Sequence, residues 1–139
     1  MYCSVDDMAN RFDLNELIQL TDSSGLGLID EQVVTAAITD ASSVIDGYLG
    51  GRYPLPLSVV PSVLTRICAN IARYNLYDNQ VTDVVKRNYE DALKFLTAVG
   101  KGDIRLGLSD DQQQPESDST IEVQSGGSVF ARERSKGFI

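Results

Sequence analysis

The sequence predicts a mainly α-helical protein, a small bundle of about four helices with an extended C-terminal arm. Three observations predict it. Apolar residues recur at spacings of three and four through most of the first hundred positions. Alternation of period two is confined to "STIEVQ" and "DIRLGL". From Ser109 the composition turns acidic and polar and nearly loses its core formers. The division is therefore a helical body over residues 1–108 and, over residues 109–139, an acidic flexible spacer ending in a basic and aromatic docking arm.

The first helix starts at Ser4. Asp7 stands three residues later, a variant capping box, and Val5, Met8 and Phe12 follow at helical spacing. Leu14, Leu17, Ile18 and Leu20 form a second short apolar cluster. "TDSSGLGL" reads as a loop. Asp30 is the next N-cap, with Glu31 in the first turn where the helix dipole favours a negative charge. Val34, Ala37, Ala41, Val44, Ile45 and Tyr48 continue that helix, and its small alanines admit a close neighbour. Gly50 and Gly51 are expected to end it in a left-handed conformation.

"RYPLPL" follows. Pro54 and Pro56 fix their own φ and push Tyr53 and Leu55 toward extended geometry, which predicts a stiff extended link. Pro61 suits the first position of the next helix. Val63, Leu64, Ile67, Cys68, Ile71 and Tyr74 give that helix one apolar face, closing near Tyr77. Thr82 caps the last helix. Its stripe is Val85, Tyr89, Ala92, Leu93, Leu96 and Val99, and Gly100 and Gly102 stop it.

Composition excludes several function classes. The formal net charge is −8, which argues against duplex DNA binding driven by phosphate neutralisation and against an anionic membrane surface. The apolar runs are too short and interrupted to span a bilayer, and the N-terminus lacks a secretory pattern, so the expectation is a protein made in a cytoplasm. The chain has no histidine, which removes histidine metal sites and the Ser-His-Asp and Cys-His nucleophile systems. Cys3 and Cys68 are not in a CxxC pair and read as a near-terminal and a core thiol. "GLGL" lacks a dinucleotide context, no carboxylates fall in a calcium-binding pattern, and no acid–base pair stands out. The expectation is a non-enzyme without cofactor or metal.

What remains are interaction residues. Arg66 and Arg73 lie seven residues apart on one helix and Arg52 lies in the Gly-Pro link. They fit surface salt bridges, or else contact with an acidic partner subunit or with a nucleic-acid backbone. Tyr53, like the other tyrosines, fits core-edge packing or an interface. In the last stretch Arg132, Arg134 and Lys136, set against Glu133, combine with Phe130, Phe138 and Ile139. That end reads either as a docking segment or as a frayed terminus.

Six quoted stretches, "MYCSVDDMANRF", "LIQLTD", "IDGYLGGRYPLPL", "VPSVLTRICANIARYNLYD", "RNYEDALKFL" and "GKGDIRLGL", resemble in order the Mu-like prophage small virion protein family. The Lys136–Gly137–Phe138 ending is also similar to family members. The family is similar in helix layout to the head–tail connector adaptors of tailed phages. The resemblance implies a virion protein at the head–tail neck. It implies a ring, typically of twelve copies, contacting the portal protein and a tail or stopper protein. It also implies that genomic DNA passes through the ring without sequence-specific binding. A tail terminator or stopper, or a small helical protein-interaction module, is the alternative. Arg52, Tyr53, Arg66, Arg73 and the six C-terminal residues above are the expected interface.

Overall fold

The computed structural model describes residues 1–77 and 80–107. Within them the chain forms five helices, α1 (Val5–Arg11), α2 (Leu14–Thr21), α3 (Glu31–Leu49), α4 (Ser62–Leu76) and α5 (Asp83–Lys101), and no strand. The bundle is built by α3, α4 and α5, with the two short helices and an N-terminal strap laid against it.

Local chemistry sets the helix starts. Ser4 Oγ accepts from the Asp7 amide at 3.1 Å, and the Asp7 carboxylate accepts from the Ser4 amide at 2.9 Å, so the capping box is complete. Asp13, Asp30 and Thr82 cap α2, α3 and α5 through their side-chain oxygens. Each such cap is worth about 1 kcal/mol.

α4 is the central element. Leu64, Ile67, Cys68, Ala69, Ile71, Ala72 and Leu76 are buried on it, an arc wide enough to meet α1, α3 and α5 at once. α3 lays Val34, Ala37, Ile38, Ala41, Ile45 and Leu49 against it, and the two alanines let the backbones approach. Truncating Leu64 or Ile67 to alanine removes roughly 2–5 kcal/mol. α5 closes the triangle with Val85, Ala92, Leu96 and Val99. The Tyr74 and Tyr89 rings stack at 3.8 Å between centroids on the α4–α5 seam.

The strap ahead of α1 is part of the core. Tyr2 and Cys3 are buried, the Tyr2 amide donates to Ser42 Oγ at 3.3 Å, and the Tyr2 hydroxyl donates to the Asp46 carboxylate. Residues 104–106 pack similarly at the far end, with Leu106 buried and Ile104 half-buried.

Five expectations need correction. Gly50 is right-handed, with φ −59°, so α3 ends without a left-handed glycine; the Arg52 and Tyr53 amides reach back to the Leu49 carbonyl instead. Gly100 lies inside α5, and Gly102 alone, at φ 88°, is the left-handed cap. Pro61 is the N-cap, one position ahead of the helix. The link after α3 bends and turns, with a cis Leu55–Pro56 bond, where a stiff extended segment was expected. Val44, placed in the α3 core stripe, is 38% exposed, because the face buried by α4 is centred on Ala41 and Ile45.

Candidate functional site

The residues singled out as interface candidates fall into distinct environments. Arg73 is committed inside the protein. Its Nε and Nη2 donate to Glu16 Oε2 and Oε1 at 3.0 and 2.9 Å. Its guanidinium lies over the Phe12 ring, 4.5 Å from the centroid, and the Tyr77 hydroxyl donates to the same Glu16 carboxylate. One planar cation therefore ties the end of α1 and the body of α2 to α4. Burial, followed by the hydrogen bond to Glu16, pushes the Tyr77 phenol above its ordinary range.

Arg52 is exposed, but its guanidinium lies against the end of α5. A Cβ at Gly102 would fall 2.6 Å from its Nη2. Tyr53 is buried and belongs to the core under that corner. Nearby, a Cβ at Gly100 would come within 3.1 Å of the Tyr48 carbonyl oxygen, so the C-terminal ends of α3 and α5 touch. Arg66 is exposed beside a shallow cleft lined by Asn70, Asn88, Asp91 and Phe95. Among the described residues it forms no salt bridge. Phe130, Arg132, Arg134, Lys136, Phe138 and Ile139 lie outside the described residues.

Cys3 and Cys68 come together in the core. Both thiols are free and buried, and Ser42 Oγ lies 3.7 Å from Cys68 Sγ. The neighbouring Cys68 thiol, followed by burial, pushes the Cys3 thiol above its ordinary range, which makes it a poor nucleophile.

The loop of residues 22–29, legible in sequence only as a loop, has a fixed shape that the sequence does not disclose. The Asp22 carboxylate accepts from the Leu26 amide at 3.0 Å and the Gly27 amide at 2.7 Å. Those amides, Gly27 foremost, hold the Asp22 carboxyl below its usual range. Thr21 Oγ1 accepts from the Asp30 amide at 3.0 Å and closes the loop base. The loop so fixed presents Leu26 at 74% exposure and Leu28 at 66%. The signal available in sequence was two leucines separated by glycine, after an aspartate, in an otherwise polar loop.

Charge is divided along the chain. Residues 1–50 carry nine carboxylates and one cation, Arg11, whereas residues 51–107 carry eight cations and five carboxylates. No described helix is long and apolar enough to cross a membrane.

Comparison with known proteins gives the family. The chain matches the family described as Bacteriophage Mu, Gp36 over residues 2–125. It is 45% identical over 139 residues to the Mu-like prophage FluMu protein gp36 of Haemophilus influenzae, covering 100% of this chain and 99% of that one. It is 38% identical over 140 residues to Gene product J of Escherichia phage Mu, covering 99% of each. A match of that extent, on a helical body with the order and caps described above, makes this chain a member of the Bacteriophage Mu Gp36 family, a family of Mu-like phage proteins.

Proposed function

We propose that the protein is a non-enzymatic structural component of the virion, a head–tail connector. Copies of it form a ring of about twelve subunits between the portal protein and the tail or stopper protein, and the ring continues the DNA channel. Membership of a Mu-like phage family over nearly the whole chain carries this reading. The physical character of the body supports it. A small, firmly pinned helical wedge leaves Leu14, Leu26, Leu28, Val59 and Val84 at least half exposed, which a subunit buried among partners accommodates better than a free monomer.

The division of charge supports contacts between unlike faces of successive copies, the heterologous geometry from which rings are built. A net charge of −8 also suits a channel that must not grip moving DNA. The C-terminal segment, with Phe130 and Phe138 as apolar anchors and Arg132 and Arg134 as cations, serves as the arm that engages the portal or a neighbour.

The test is electron microscopy of particles from an induced prophage with this gene disrupted. Filled or leaking heads beside finished but unjoined tails are expected. Tails of irregular length would move the assignment to a tail terminator. Normally joined virions would overturn the neck role altogether.

A further inference from the structure

We propose that in the free protein residues 129–139 dock on their own chain, on the surface formed by loop 22–29 and the first turn of α3. This inference is independent of the virion role, and either can fail without the other.

The surface is apolar, rigid and acidic. Leu26, Leu28 and Val33 stand in water at 74, 66 and 39% exposure. The Asp22 hydrogen bonds and the Thr21–Asp30 closure already hold the loop, so docking on it orders little further backbone. Asp22, Asp30 and Glu31 flank the leucines in sequence, and Arg11 is the one cation in the first fifty residues.

The occupant has the complementary chemistry. Residues 132–136 hold three cations, Arg132, Arg134 and Lys136, against one carboxylate, Glu133, and are flanked by Phe130 and by Phe138 and Ile139. No other stretch of the chain combines cations at that density with aromatic side chains. The intervening segment carries Asp110, Asp111, Glu116, Asp118 and Glu122, which the acidic surface repels, so the attraction is confined to the chain end.

Reach decides between the chain's own end and that of a second copy. The Gly100–Tyr48 and Gly102–Arg52 contacts put the end of α5 at the C-terminal end of α3. Loop 22–29 adjoins the opposite end, and a 19-residue helix is about 28 Å long. Residues 108–128 number 21, and a flexible coil of that length would span about 25 Å. Effective concentration is highest when linker length matches the span, so the chain's own end outcompetes that of another copy in dilute solution.

Hydrogen–deuterium exchange on the full chain tests the proposal, with a chain ending at residue 128 and the variant Leu26→Ser/Leu28→Ser alongside. The full chain should show slowed exchange in peptides covering residues 22–33 and 129–139, unchanged on hundredfold dilution. The shortened chain should lose it at residues 22–33. The double variant should lose it at residues 129–139 while α4 stays protected, since both leucines are exposed and their loss leaves the core intact. Equal exchange in full and shortened chains overturns the proposal. Protection that fades on dilution overturns it too, because the occupant is then a second copy.

Discussion

Arg73 and Glu16, 57 residues apart in sequence, form a two-pronged ion pair that fastens α2 to α4. Their side chains are 19% and 17% exposed, so the pair is largely shielded from water and salt. α2 has few buried side chains of its own, Leu17 and Thr21, which leaves the ion pair a large share of its attachment.

Arg73→Ala therefore leaves Glu16 and Tyr77 facing each other without a cation. The expected loss is about 1–3 kcal/mol. It should appear as a lower urea midpoint at unchanged slope. Glu16→Gln should cost a similar amount. The two together should cost less than their sum, with a coupling of roughly 0.5–3 kcal/mol. Strict additivity would mean that the two side chains do not act as a unit.

The glycines around the α3–α5 corner give a second prediction. Gly102 has φ 88°, and a Cβ there meets the Arg52 guanidinium. Gly102→Ala should destabilise by about 1–2 kcal/mol from the left-handed backbone alone. Removing Arg52 as well relieves the contact but not the backbone strain. Gly51 is not left-handed and has open space around its Cβ position. Gly51→Ala should be neutral or stabilising by up to about 1 kcal/mol, through the unfolded chain. Thermal unfolding of the two single variants reads the difference.

That pair of glycines also shows what the sequence discloses and what it does not. Ser4 with Asp7, Asp30 and Thr82 were legible as caps because a cap is settled within three residues. The core faces of α4 and α5 were legible because burial follows the helical period. Gly50 misled because a glycine permits a left-handed stop without requiring one, and backbone returning to Leu49 served instead. Arg73 was open between a surface salt bridge and contact with a partner or a nucleic-acid backbone, and its internal pairing was not legible, since its counter-ion comes from a distant helix that only the packed fold brings near. The loop leucines were not legible because glycine and serine mark a loop whatever else it holds, while the Asp22 hydrogen bonds that fix its shape form only in the folded chain.

The strap at the N-terminus sets an alkaline limit. The Tyr2 phenol is held well above its ordinary value of 10.0, by burial first and then by its hydrogen bond to Asp46. The native state thus keeps a proton that the unfolded chain releases near pH 10. Stability from this contact is complete below that pH and declines as pH rises toward the native-state value. Tyr2→Phe should cost about 0.5–1.5 kcal/mol at pH 7. The gap between the variant and the natural protein should narrow steadily above pH 10. A gap that is constant from pH 7 to pH 11 would show that the hydrogen bond contributes nothing in that range.

Deletion of residues 129–139 separates assembly from folding. The caps, the Arg73–Glu16 pair, the core of α3, α4 and α5 and the strap at Tyr2 and Cys3 all lie within residues 1–107. Removing the last eleven residues takes none of those contacts away. The shortened protein should keep its far-ultraviolet circular dichroism and its cooperative unfolding. Supplied to a prophage lacking the natural gene, it should fail to join heads to tails, because the apolar anchors Phe130 and Phe138 and the cations between them are gone. Replacing Phe130 and Phe138 with alanine in the full chain should weaken joining in the same direction if the anchors carry the affinity, and Arg132→Glu/Arg134→Glu should do so if charge carries it. Normal numbers of joined particles from the shortened protein would remove the C-terminal segment from the assembly mechanism. The exposed side chains of the helical body would then be left as the points of attachment.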